Sequence, residues 1–238
     1  MNKKLIILTG ISGGIGSGII NKLCDTYNFI GLVRETSNQN QNIKNYVVNF
    51  NSWKSIEEVI QQISLDFGHI DGFVHAAGND ILAPLSLINE KMFDDLFAIH
   101  AYFPIKFLSI SLKRKLFNNS SSVILFSSLA AHKPSPGHSL YASAKGAIEG
   151  FLPTASNELL RRGIRLNLIS PGIVETKMSK QYLDKLTEDQ FNQLKSSYPL
   201  GFIQTNDVVL LVDFLLSDKS SKITGQNYFI DGGNLIHT

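Results

Sequence analysis

One cysteine, one tryptophan and three methionines occur in 238 residues, and only 18% of the chain is charged. The lone Cys24 excludes an internal disulfide. With Ile19, Ile20 and Leu23 beside it, the sequence predicts a small buried hydrophobe in a protein of the reducing cytoplasm. An excess of one charge is missing too: 22 basic against 20 acidic side chains leave +2, too weak a field for a nucleic-acid partner. No run approaches the ~18 apolar residues of a membrane span. The opening MNKKLIIL sets two lysines before a short apolar run, and Thr9-Gly10 follows at once, so it reads as a first buried strand rather than a secretory signal. No internal repeat is visible, and the Asn/Gln-rich SNQNQN at 37–42 reads as a solvated loop.

What is present is apolar and evenly spread. Hydrophobic residues make up 43% of the chain, enough for one substantial core, and the length suits a single domain, 1–238. Short apolar runs at 5–9, 29–33, 46–50, 72–76, 122–127, 164–170 and 227–230 alternate with helical patterns at 15–27, 53–67, 90–117, 139–162, 179–197 and 206–217. Uninterrupted apolar runs are the mark of strands buried on both faces. Their alternation with helices predicts an α/β doubly wound fold, a seven-stranded parallel sheet with helices on both faces. Ligands of such sheets bind outside the carboxyl ends of the strands, where strand order reverses.

The loop after the first strand reads TGISGGIGSG. Gly10, Gly14 and Gly16 let the main chain turn tightly against a pyrophosphate, whose charge is favoured by the free amides opening the next helix. The same letters satisfy G-x-S-x-G, the nucleophile elbow of a serine hydrolase built on Ser12, and Asp231 and His237 follow in triad order. That alternative is weakened by the closeness of Asp231 to His237 and by the lack of a glycine-rich oxyanion segment.

Tyr141 and Lys145 stand four residues apart in LYASAK. On a helix they share one face, about 6 Å apart along the axis. A free tyrosine titrates near 10, so proton exchange at neutrality needs a drop of about three pH units, roughly 4 kcal/mol. One cation ~4 Å away at an effective dielectric of ~20 supplies about 4 kcal/mol. Such a phenol can protonate a carbonyl oxygen in one direction and deprotonate an alcohol in the other. Ser128, at the end of the run SVILFSS, places a third group at a strand's carboxyl end.

Together these residues resemble the short, single-domain branch of the short-chain dehydrogenase/reductase family, and the likeness runs over nearly the whole chain. Its TGxxxGxG is Thr9 to Gly16, its serine Ser128, its YxxxK Tyr141 and Lys145, its PG Pro171-Gly172 with Thr176 beyond, and its late DGG Asp231 to Gly233. The resemblance implies a Rossmann fold and a nicotinamide-dependent oxidoreductase acting on a small ketone or alcohol, with no metal. It implies a dinucleotide bordered by Gly10, Ser12, Gly13, Gly14, Ile15, Gly16, Ala76, Ala77, Gly78, Pro171, Gly172, Ile173 and Thr176. Tyr141 lies beside it, and Lys145 also holds the nicotinamide ribose. Residues 177–200 would form the substrate lid. A non-catalytic nucleotide-sensing relative is the other reading, disfavoured because Ser128, Tyr141 and Lys145 are all present.

Two positions depart from the family pattern. NAAG appears as His75-Ala76-Ala77-Gly78, and the fourth catalytic residue, an asparagine, appears as His100. His75 is expected to be a hydrogen-bonded structural residue. Pro104 lacks the N–H that would bond the His100 carbonyl in an α-helix, so that carbonyl is expected to be free to serve the proton relay that the family pattern implies. Arg34 after the second strand suits the 2′-phosphate of NADP, although Glu35 beside it offers the ribose contact typical of NAD; Asn49 takes the adenine-side position. PLGFIQTNDV at 199–208 is similar to 3-oxoacyl-carrier-protein reductases, but Phe202 stands where they carry arginine. A carrier-protein patch would have to use Arg162 with Lys113, Arg114 and Lys115. Asp80, His132, Lys133 and His138 instead suggest a polar, sugar-like ketone. Apolar faces on the helices at 90–117 and 139–162 predict a homo-oligomer, a dimer or tetramer.

Overall fold

Alternation of side chains along the strands decides the layering. The computed structural model describes residues 3–35 and 43–236, and both the expected loop at 37–42 and His237 lie outside them. β1 (Lys4–Thr9) sends Ile7 to one face and Ile6 and Leu8 to the other. β4 (Ile70–His75) divides Phe73 from Val74, and β5 (Phe117–Phe126) divides Val123 and Leu125 from Ile124. β2 (Tyr27–Val33), β3 (Lys44–Val47), β6 (Arg165–Pro171) and β7 (Asn227–Ile230) complete a parallel sheet of order β3-β2-β1-β4-β5-β6-β7.

One face is covered by α2 (Trp53–Phe67), α4 (Phe103–Lys113) and α5 (Ser139–Leu160), which bury Ile56, Ile60, Ile63, Phe107, Ile148 and Leu152. The other is covered by α1 (Gly14–Leu23) and α8 (Thr205–Leu216), through Ile19, Ile20, Val208 and Val212. Each large aliphatic side chain taken wholly out of water contributes about 1.5–3 kcal/mol, so the two layers are held independently. The doubly wound fold expected from the alternating runs is the one observed. Strand order reverses between β1 and β4, and Thr9 pairs with both Leu32 and His75, so the carboxyl ends of β1, β2 and β4 form one ledge.

The departures from expectation have local causes. The first helix stops at Leu23 rather than 27, because Tyr27 is already buried in β2, its hydroxyl donating to Asp213 Oδ1 at 2.8 Å. Cys24, just past that helix end, is therefore exposed, not the buried hydrophobe expected. The helix expected at 90–117 is α3 (Glu90–Phe97), a π-helical turn (Ala98–Tyr102) and α4. Lys115, at φ 52°, then turns the chain into β5 at Phe117 instead of 122. Residues 179–197 form two helices, α6 (Lys177–Leu183) and α7 (Glu188–Ser196), each opened by its own capping box, Thr176 with Ser179 and Thr187 with Gln190. Among the described residues, Glu90–Lys113 is the one stretch long and apolar enough to cross a membrane by length and composition, and half of its apolar window is buried in the fold.

Candidate active site

The ledge carries the glycine loop. Gly10 adopts φ 72°, and a Cβ there would lie 2.6 Å from the Ala76 main chain; one on Gly16 would lie 2.1 Å from the Gly10 carbonyl oxygen. Only glycine permits this approach. Gly13, the residue before α1, supplies no side-chain cap, so the first amides of the helix face the loop. Thr176 closes the far side, its Cγ2 2.4 Å from where a Gly14 Cβ would stand. This cradle fits a pyrophosphate, as the glycine spacing suggests. Ser12 is exposed with no acid or histidine bonded to it, and Asp231 Oδ1 and Oδ2 accept the Gly233 and Leu235 amides in a turn, so no hydrolase triad is assembled among the described residues.

A crevice of about 360 Å³ opens beside the loop, with Ile15, Ser128, Tyr141, Gly172, Ile173 and Thr176 in its wall. Pro171 ends β6, and the Gly172 amide donates to the Ile230 carbonyl at 2.9 Å. Tyr141 and Lys145 come from the first two turns of α5. Ser128 follows β5 and its Oγ accepts the Ala130 amide at 3.2 Å, which fixes the turn. Lys145 lies behind the phenol: its Nζ donates to the Phe126 carbonyl at 2.8 Å and stands 5.6 Å from the centre of the Tyr141 ring.

The electrostatics reverse the expectation for the phenol. Burial pushes Tyr141 well above its ordinary value, Asp80 adds to the rise, and the neighbouring Ser128 hydroxyl pulls the other way. Burial also brings Lys145 down to about 7, with Asp80 opposing. Desolvation thus dominates both groups, and among the protein's own side chains the phenol is held protonated. Asp80 Oδ2 pairs with His138 Nε2 at 3.1 Å at the crevice mouth, and the bond to that carboxylate raises the His138 pKa. Lys133, in the same wall, donates to the Asn234 carbonyl at 3.2 Å.

His100 is 3% exposed; its Nε2 donates to the Asn79 carbonyl at 2.7 Å and its ring meets Tyr141 edge-on, centroids 5.3 Å apart. Its Nδ1 has no partner, and a Cβ on Gly78 would lie 2.4 Å from its Cε1. The π turn leaves a second carbonyl of this helix without a main-chain donor. The π turn bonds the Phe103 amide to Ala98, and the carbonyl left facing Pro104 is that of Ile99, to which His75 Nε2 donates at 2.8 Å.

Arg34 and Glu35 are both exposed just beyond β2, two and three residues past Leu32, which pairs with Thr9. Asn49 Oδ1 accepts the Asn51 amide at 3.0 Å. Phe202 packs edge-on against Phe191 and Tyr198, holding the segment after α7. Sequence reasoning missed Glu149. Its Oε1 accepts Ser127 Oγ (2.6 Å), His132 Nε2 (2.9 Å) and Asn227 Nδ2 (3.3 Å), tying the Ser128 loop and β7 to the helix that carries Tyr141. The signal was its spacing, four residues beyond Lys145 on the same face.

Fold and crevice together define a dinucleotide-binding α/β enzyme. Residues 30–234 match the family model described as Enoyl-(Acyl carrier protein) reductase. Diacetyl reductase [(S)-acetoin forming] of Staphylococcus epidermidis is 30% identical, over 97% of this chain and 98% of its own. The 3-oxoacyl-[acyl-carrier-protein] reductase of Thermotoga maritima is 28% identical over 98% of each. The structure of a tyrosine-to-phenylalanine variant of ElxO with NADPH bound superposes with a TM-score of 0.86 at 25% identity, over 99% of this chain and 100% of that one. The chain belongs to the short-chain dehydrogenase/reductase family, and it is an NAD(P)-dependent oxidoreductase interconverting a ketone and a secondary alcohol.

Proposed function

We propose that the enzyme reduces a small, polar ketone with a preference for NADP, and that Tyr141 is its proton donor. The observation that carries the reading is the crevice wall, where Ser128 and Tyr141 face the same space as the Asp80–His138 pair and Lys133. Gly10 to Gly16, Ala76 to Gly78, Pro171 to Ile173 and Thr176 would hold the dinucleotide. Arg34 would take its 2′-phosphate, Asn49 its adenine side, and Lys145 its nicotinamide ribose. A bound dinucleotide supplies or accepts the hydride. Tyr141 holds the proton and passes it to the carbonyl oxygen, which Ser128 orients by a second hydrogen bond. The Lys145 charge, stacked behind the ring, favours the phenolate as it forms. α6 and α7 would close over the crevice and exclude water.

The basic cluster speaks against a carrier protein delivering the substrate. Lys113, Arg114 and Lys115 directly precede β5, and Arg162 precedes β6, so they lie at the amino edge of the sheet, away from Tyr141. Arg114 is paired with Glu57 at 2.6 Å, and Arg162 caps the Leu112 carbonyl at 3.1 Å. An exposed, unbridged cysteine supports a reducing, cytoplasmic setting. Exposed Phe93, Tyr102 and Leu160 on the helices beside the site support assembly into a dimer or tetramer. The test is a panel of hydroxyketones, diketones, sugar ketones and an acyl thioester, followed through NADPH and NADH absorbance. Turnover confined to the acyl thioester overturns the polar-ketone reading.

A further inference from the structure

The hydrogen bonds around His75 allow one arrangement of protons. The Ile99 carbonyl can only accept, so His75 Nε2 carries the hydrogen it donates there at 2.8 Å. Nδ1 of the neutral ring is then a bare lone pair, and it accepts the Thr9 hydroxyl at 2.8 Å. Thr9 Oγ1 in turn accepts the Ala77 amide at 3.0 Å. The ring is 3% exposed, and burial takes its pKa down to about 3, so this tautomer persists at every working pH.

Ile99 needs an outside donor for a specific reason. In an α-helix its carbonyl takes the amide four residues on, but the Phe103 amide bonds Ala98. In a π register it takes the amide five residues on, and residue 104 is proline. Returning the turn to α register gives the Phe103 amide back to Ile99, and Pro104 then offers the His100 carbonyl no amide. The turn thus has two registers: in the α register Pro104 leaves the His100 carbonyl unserved, and in the π register the Ile99 carbonyl has no main-chain donor and is served by His75.

We propose that His75 selects the π register and is a positioning residue for the proton-transfer site. The extra residue in the turn rotates one side of the helix against the other by about 100°. His100 is thereby set edge-on to Tyr141, with Nε2 on the Asn79 carbonyl. The proposal rests on the reading of Tyr141 as the proton donor.

The test is a double-mutant cycle of His75→Phe and Pro104→Ala, read by turnover and by thermal unfolding. His75→Phe keeps an aromatic ring between Phe73 and Phe103, whose centroids lie 6.0 and 5.2 Å from that of His75, and removes the donor. It is expected to lower kcat on the order of 10²-fold with the KM for NADPH little changed, and to lower Tm. Adding Pro104→Ala gives Ile99 an amide five residues on, and is expected to restore at least about tenfold in kcat and most of the Tm. Additive losses, or a KM that moves with kcat, overturn the proposal in favour of packing alone. Should His75→Phe fail to fold by itself but fold with Pro104→Ala, the coupling stands; failure of both overturns it. Thermal unfolding needs no substrate, so an inactive wild type sinks the ketone-reductase reading while the cycle still decides the role of His75.

Discussion

The two edges of the sheet differ in how they treat their ionisable residues. At the carboxyl edge Thr9, His75, His100, Ser127 and Lys145 are each at most 5% exposed and bonded to specific main-chain or side-chain partners. At the amino edge Arg165 and Ser121 are buried as well, but ion pairs there lie open to water, as does that of Lys4 with Asp218, whose side chain is 85% exposed. Desolvation is the difference. A buried group must fix its protonation state, and the fold can set which one; an exposed pair is screened and sets little.

Removing the phenol should test that contrast most severely. Tyr141→Phe is expected to lower ketone turnover by about 10³-fold while dinucleotide binding, read by fluorescence titration, persists. Turnover within tenfold of wild type would show that the Tyr141 hydroxyl is not the acid.

Protonation of the buried rings gives the next effect. Burial holds His75 near 3 and His100 near 2, below their ordinary 6.5. The unfolded chain therefore binds more protons between those values and 6.5, and stability falls as pH drops below 6.5. Each ring contributes a slope of about 1.4 kcal/mol per pH unit in that window. Urea titrations from pH 7 to 5 should show it, and His100→Gln should remove one ring's share. An unchanged slope in that variant would mean that His100 is charged in the folded protein.

Cofactor choice sits between the extremes, on exposed residues at the carboxyl edge. Arg34→Ala is expected to raise the KM for NADPH about tenfold and leave that for NADH nearly unchanged, since a charged contact to phosphate accounts for about 1.5 kcal/mol or more. Equal changes for both would assign the ribose to Glu35 instead. The smallest effect belongs to the amino edge. Arg114→Ala breaks a 2.6 Å pair whose side chains are both 48% exposed, and it should cost less than about 1 kcal/mol in chemical unfolding, with activity unaltered.

Much of the fold was legible because apolar alternation is local. β7 is found at 227–230 as the run NYFI predicts, and each of the seven predicted runs carries a strand. Ser128, Tyr141, the glycine loop and Thr176 were legible as well, since each is placed by a strand end or a helix start, and the structure brings them to one crevice. The π turn was not. The run 90–113 has the composition of one long helix, and only the approach of His75 from β4 decides which carbonyl Pro104 strands. Tyr27 opening β2 depended on Asp213, 186 residues away.

The sequence by itself determined the layered sheet, the place of the phosphate cradle and the helical spacing of Tyr141 and Lys145, because these follow from periodicity and from what glycine permits. Tertiary structure decided the protonation of those groups. Covalent neighbours do not set how much water a phenol, an ammonium or an imidazole loses. Here the chain closes over Lys145, His75 and His100 and covers Tyr141 in part, so that burial, rather than the charge four residues along the helix, governs the resting state of the site.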